Sequence, residues 1–208
     1  MTITIQPAPA RTDDPTVRAG RTFVRRAGLG VAAGSAVWAA GLLAYGANPT
    51  GTVGEQVANL SSLAFQLGLF GLITVQLKTR ATGTSRVARA MLKVEYGLLA
   101  VATLWTILWS ALPDARESVP LLVMDLFWPL SMLGMFVIAI KIATAGRWTG
   151  LLRGWPLIAE SWAVVNVPIA GALGDSVLRW TASGHLIVGY LALGVILMLR
   201  PELTGARD

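Results

Sequence analysis

Three acidic residues lie within long apolar segments of the sequence, namely Glu95, Asp125 and Glu160. An ionised carboxylate inside a bilayer costs about 2.5–3.5 kcal/mol for Asp at a helix centre, so such groups usually face a cavity or a polar partner. A carboxylic acid that an apolar site keeps protonated can donate its proton. These three carboxyl groups are therefore the candidate catalytic groups.

Helical spacing groups two of the acids with indole rings, because residues three or four apart lie on one face of a helix. Glu95 shares such a stripe with Trp105 and Trp109, and Asp125 shares one with Trp128. The pattern predicts that Glu95 and Asp125 face the protein interior beside tryptophan side chains.

The spacing is less favourable for Glu160. At 100° per residue Glu160 lies about 160° from Trp162, whereas Trp162 and Asn166 share a face. Glu95 and Glu160 also lie roughly 8 Å from the predicted cytoplasmic helix ends. An alternative for both acids is therefore that they reach the membrane surface or pair with basic residues there.

Six stretches are long and apolar enough to cross a hydrocarbon core, which needs about 20 residues. The breaks between them are short, so we predict an all-α integral membrane protein, a six-transmembrane-helix bundle. A basic disordered tail (1–26) and a short cytoplasmic tail (201–208) flank the transmembrane domain (27–200). The predicted spans are 27–46, 57–77, 90–112, 119–142, 155–173 and 184–199.

Charge predicts the orientation of this bundle. Of the 208 residues, 54% are hydrophobic and only 13% charged, against about 25% charged in soluble domains. The 17 basic residues, except Arg116 and Arg179, fall on one side of the predicted spans. By the positive-inside rule both termini are cytoplasmic, in a multi-pass protein of the cell membrane. Basic residues at helix ends face anionic headgroups, so no nucleic-acid partner is expected despite the net charge of +6.

Small residues and prolines predict how the helices pack and bend. Glycines spaced along the first two helices are expected to permit close packing in lipid. Pro129 and Pro168 each remove one helical hydrogen bond, leaving the carbonyls of Asp125 and Val164 free and predicting bends there.

The other candidate site residues are aromatic or polar. Interfacial belts account for several of the eight tryptophans, but four lie deeper than a belt requires. Buried indole faces can stabilise a carbocation by about 2 kcal/mol or more. The residues assigned to substrate binding are Trp105, Trp128, Trp162, Asn166, Trp38, Gln66, Trp109 and Tyr190.

In its size, its number of spans, and its residues Asp125, Trp128, Glu95, Trp105 and Trp162, the chain resembles the small integral-membrane terpene cyclases of bacterial and fungal terpenoid pathways. The resemblance implies metal-independent cyclisation of a lipophilic isoprenoid that enters from the bilayer. It implies that Asp125 or Glu95 protonates an alkene, with Glu160 as a second carboxyl.

Two functions of other classes stay open. The acids, Gln66 and Asn166 could form the polar path of a small proton- or cation-coupled transporter, or the chain could be a non-catalytic membrane subunit. No cofactor is expected, since no glycine-rich phosphate loop or cluster of carboxylates is present and cysteine is absent. His185 is expected to serve as a helix cap or hydrogen-bond partner. The residues specify no oligomeric state.

Overall fold

The computed structural model describes residues 19–207 and is helical, with no β-strand in that range. Six helical segments are long and apolar enough to cross a membrane, which confirms the predicted helical class and the predicted number of such segments, called spans below. The sixth begins at Asp175 rather than at residue 184, because its first turns are helical but polar. The six spans are Arg21–Tyr45, Thr52–Lys78, Arg86–Ala111, Val119–Ala145, Leu151–Leu173 and Asp175–Leu199.

The six spans form a closed ring. Each packs against its neighbours in sequence, and the first also packs against the sixth. Close backbone approach makes this possible. A Cβ atom on Gly34 would lie 2.6 Å from the Ala64 carbonyl oxygen, and one on Gly28 would lie 2.7 Å from that of Gly194. The predicted role of small residues in helix packing is confirmed.

The fourth span is interrupted where the sequence predicts. It consists of the helices Val119–Asp125 and Phe127–Ala145, which meet at Leu126. Pro129 has no amide hydrogen to donate to the carbonyl of Asp125, four residues earlier. The Pro129 prediction is confirmed.

The fifth span is interrupted at a different place from the predicted one. Its helices are Leu151–Glu160 and Trp162–Leu173, and the break lies at Ser161 rather than at Pro168. At this break the Ile158 carbonyl accepts a hydrogen bond from His185 Nε2 at 2.6 Å. The histidine thus satisfies a backbone group that the break exposes.

The sixth span contains a π-helical segment, Leu186–Leu191, between the α-helices Asp175–His185 and Ala192–Leu199. Trp155 Nε1 lies 3.2 Å from the carbonyl oxygens of Val188 and Gly189 within it. Such widened turns are frequent at functional sites. This one carries Tyr190 into the centre of the ring.

Both ends of the described chain lie at the same end of the bundle. The Arg21 amide donates to the Arg207 carbonyl at 2.9 Å, and the Arg207 amide donates to that of Ala19 at 3.2 Å. The 3₁₀ turn Pro201–Thr204 follows the sixth span, and a second one, Pro113–Ala115, follows the third span. Residues 1–18 of the predicted N-terminal tail lie outside the described residues, and its residues 21–26 belong to the first helix.

Candidate functional site

Glu95 is buried between the third and fourth spans, with 1% of its surface exposed. Ser131 Oγ donates a hydrogen bond to Glu95 Oε1 at 2.5 Å. Within residues 19–207 Glu95 has no cationic partner. The prediction that Glu95 faces the interior is confirmed, and the alternative of a surface ion pair is wrong for this residue.

Glu95 lies at the floor of an apolar groove of about 490 Å³ on the side of the bundle. Gly134 is part of the same floor, and a Cβ atom there would overlap Glu95 Oε2. The missing side chain at position 134 therefore makes room for the carboxyl group. Aliphatic side chains of the third and fourth spans form the walls, among them Val87, Val94, Leu98, Leu130, Leu133 and Val137.

Five aromatic side chains from five different spans meet at the centre of the ring and form what we call the aromatic cluster. Trp38 is its middle member, with its ring centroid 4.8 Å from that of Phe65, 5.2 Å from that of Trp162 and 6.0 Å from that of Trp128. Tyr190 joins through Phe65 at 4.8 Å. Sequence reasoning missed Phe65, whose spacing from the buried Leu69 and Leu72 marks the interior face of the second span.

Glu160 is the second buried acid, and it has no exposed surface. Its Oε2 accepts a hydrogen bond from the Tyr190 hydroxyl, and its Oε1 has no hydrogen-bond partner among the described residues. Glu160 therefore reaches the aromatic cluster through Tyr190. The alternative that Glu160 reaches the membrane surface or pairs with a basic residue is therefore wrong for this residue as well.

Asp125 lies on the outside of the bundle. It ends the short helix Val119–Asp125 and is exposed, whereas Trp128 is half-buried and reaches the aromatic cluster. The prediction that Asp125 faces the interior beside Trp128 is wrong. The stripe argument assumed one continuous helix, and the break at Leu126 separates the two residues.

Trp105 and Trp109 form a separate pair with ring centroids 5.2 Å apart. The Arg116 guanidinium lies over the Trp109 ring, 5.1 Å from its centroid, and Arg116 Nε donates to the Trp109 carbonyl at 3.1 Å. Trp105 lies on the predicted stripe with Glu95, but ten residues along the helix correspond to about 15 Å. Shared direction therefore does not place that ring beside the carboxyl group.

Gln66 and Asn166 are both buried. The hydrogen bond of Gln66 joins two spans, and the hydrogen bonds of Asn166 lie beside the helix break at Ser161. Gln66 Nε2 donates to Thr106 Oγ1 at 2.9 Å, which joins the second and third spans. Asn166 Nδ2 donates to the Trp162 carbonyl at 2.9 Å and lies 3.3 Å from His185 Nδ1. A carbonyl can only accept, so His185 carries a proton on Nε2, and Nδ1 accepts from Asn166. The expectation that His185 is a hydrogen-bond partner is confirmed.

Comparisons of this chain with family models, curated proteins and solved structures found no match. Among residues 19–207, no group of three or more His, Asp or Glu side chains is placed to hold a metal ion. The two acids occupy different surroundings, since Glu95 meets an aliphatic groove and Glu160 meets aromatic rings through Tyr190.

Replacing Tyr190 with Phe is expected to destabilise the protein by about 1–3 kcal/mol, because Glu160 loses its hydrogen-bond donor in a buried position. Thermal unfolding in detergent should then show a Tm lower by about 2–4 °C per kcal/mol. Tyr96→Phe is the matched control, since Tyr96 is 41% exposed and surface substitutions change stability by about 0.5 kcal/mol or less. Equal Tm values for the two variants would contradict a stabilising Tyr190–Glu160 bond.

Proposed function

We propose that the chain is a multi-pass membrane enzyme with cytoplasmic termini that isomerises an unsaturated isoprenoid by proton-initiated cyclisation. The observation that carries the proposal is the position of Glu95. This carboxyl group is buried, has no cationic partner among residues 19–207, and lies at the floor of an apolar groove on the side of the bundle. Because exposed aliphatic side chains surround the groove, a lipophilic molecule can enter it directly from hydrocarbon.

The hydrogen bond from Ser131 makes the two carboxyl oxygens of Glu95 chemically different. Ser131 donates to Oε1, so Oε1 acts as the acceptor and Oε2, which lies against Gly134, is left to carry the proton. A carboxyl group in apolar surroundings with no cation beside it favours its neutral form. Glu95 Oε2 is therefore the proposed proton donor.

The proposed reaction balances without a further reactant. The π electrons of one double bond take the proton from Glu95 Oε2, which forms a C–H bond and leaves a carbocation on the neighbouring carbon. A second double bond attacks that carbon and closes a ring. The Glu95 carboxylate then removes a proton from a carbon adjacent to the new cation, so the product is an isomer of the substrate and the acid is restored.

The side chains that line the groove determine how the carbocation intermediate can be stabilised. The lining residues include Met91 but no tryptophan, so the indole rings of the aromatic cluster do not provide a groove surface. A polarisable thioether and the negative carboxylate formed at Glu95 stabilise the intermediate instead. Glu95 lines the groove, whereas Glu160 is enclosed and Asp125 lies outside it, so we assign the acid step to Glu95.

Isotope incorporation tests this proposal. The purified protein is reconstituted in liposomes, equilibrated in D2O and incubated with farnesol and geranylgeraniol as probes. We expect a product of unchanged composition in which one deuterium has replaced one hydrogen, detected by mass spectrometry. Heat-denatured protein is the control. Unchanged substrate, together with proton-gradient-dependent uptake of a solute into the liposomes, would contradict the enzyme and favour transport.

A further inference from the structure

Two basic residues lie beyond one end of the groove. Lys141 follows Val137 by four residues and Gly134 by seven, so it continues the face of the fourth span that lines the groove. Arg86 precedes the groove residue Ala90 by four residues on the third span. Both basic residues are exposed. The groove therefore ends, at the predicted cytoplasmic side, between two cations.

Neither cation is neutralised by an acidic side chain in the part of the chain that the structure describes. Glu202 lies at the same end of the bundle but bonds to Arg200 at 2.7 Å. That guanidinium also holds the pKa of Glu202 below its usual value. Lys141 and Arg86 are thus available to an anionic ligand.

The separation between these cations and Glu95 follows from the helical rise. Seven residues separate Lys141 from Gly134, and nine separate Arg86 from Glu95, which corresponds to about 10 Å and about 14 Å at 1.5 Å per residue. The intervening walls are aliphatic. The groove is therefore apolar along its walls, with positive charge at one end and the Glu95 carboxyl group in its floor about 10–14 Å away.

We propose that the substrate is an isoprenoid that carries an anionic phosphate head, with the head at Lys141 and Arg86 and the hydrocarbon tail in the groove. This inference rests on the proposed function, since it names the substrate class of the same site. Charge complementarity orients the molecule, because a phosphate is attracted to the two cations at the mouth, whereas the apolar walls around Glu95 offer it no cationic partner. A double bond about 10–14 Å from the head then lies against Glu95.

Binding to the Glu95→Gln variant tests the inference without turnover. Farnesyl phosphate and farnesol are titrated calorimetrically into the full chain in phosphatidylcholine nanodiscs. Each cation is expected to contribute about fivefold, so farnesyl phosphate should bind about 25-fold more tightly than farnesol. Adding Lys141→Gln or Arg86→Gln should each weaken farnesyl phosphate about fivefold and leave farnesol unchanged. Arg25→Gln, an exposed cation on the first span outside the groove, should change neither.

Two further measurements distinguish an isoprenoid phosphate from free phosphate and from a phospholipid headgroup as the ligand. Inorganic phosphate at millimolar concentration should compete weakly, because it has no tail to bury. Nanodiscs that contain phosphatidylglycerol should leave most of the farnesyl phosphate binding intact. Full competition by either would contradict an isoprenoid phosphate as the ligand, as would equal affinities for farnesol and farnesyl phosphate. Head-dependent binding without deuterium incorporation in the wild-type protein would contradict the proposed reaction alone.

Discussion

Replacing Glu95 with Gln should lower the rate of deuterium incorporation by about 10²–10⁴-fold, the usual contribution of a positioned general acid. Glutamine has nearly the same shape and its carbonyl oxygen can still accept the hydrogen bond from Ser131. It has no acidic proton to give to an alkene. The rate of product formation in liposomes, measured at saturating substrate, isolates this loss from any change in binding.

The control for this variant is Asp125→Asn, which makes the same chemical change at an exposed carboxyl group of the fourth span. We expect this variant to retain the wild-type rate, because Asp125 lies outside the groove. A Glu95→Gln variant that is as active as Asp125→Asn would refute the assignment of Glu95. If Glu160→Gln alone abolished the reaction, the acid would belong to the aromatic cluster instead.

The spans could be predicted because their signals are local. Each apolar run is long enough to form a membrane-length helix, and the structure has six such helices. The break near Pro129 could also be predicted, because proline has no amide hydrogen to donate to the carbonyl of the residue four positions earlier. The break at Ser161 was not predicted from the sequence. There the Ile158 carbonyl accepts hydrogen bonds from the Ser161 hydroxyl and from His185 on the following span, and the second contact joins residues far apart in the sequence.

The candidate site was only partly predictable for the same reason. Helical periodicity places residues correctly as long as the helix is continuous, which holds for Glu95. Asp125 ends a helix at the break at Leu126, so the direction expected from a continuous helix failed for this residue. The partners Ser131 and Tyr190 lie on other spans, and no pattern in a single sequence specifies such contacts.

The two buried acids differ in what surrounds them, and that difference determines which of them can give a proton to a ligand. Glu160 is enclosed, and its one described partner is the Tyr190 hydroxyl. Glu95 has a hydroxyl partner on one oxygen and an open apolar groove beside it. A proton on Glu95 can therefore reach a ligand that enters from the side, whereas a proton on Glu160 stays within the packed centre.

Gly134→Ala should lower the reaction rate by about 100-fold without removing any chemical group. The added methyl group would occupy the space of Glu95 Oε2, so the carboxyl group must move, and a displacement of about 1 Å in a reacting group can lower a rate by about 10²-fold. Thermal unfolding should confirm that the variant is folded. The matched control is Gly97→Ala on the third span, where an added Cβ meets no atom within 4 Å.

A second substitution separates displacement of the carboxyl group from blockage of the groove. Combining Gly134→Ala with Glu95→Asp shortens the acid by one methylene group and makes room for the new methyl. If the loss comes from displacement of Oε2, the double variant should be faster than Gly134→Ala alone, although Glu95→Asp by itself is slower than wild type. If the methyl only narrows the groove, shortening the acid gives no recovery. Recovery would therefore show that Gly134 is small so that the acid can occupy its place.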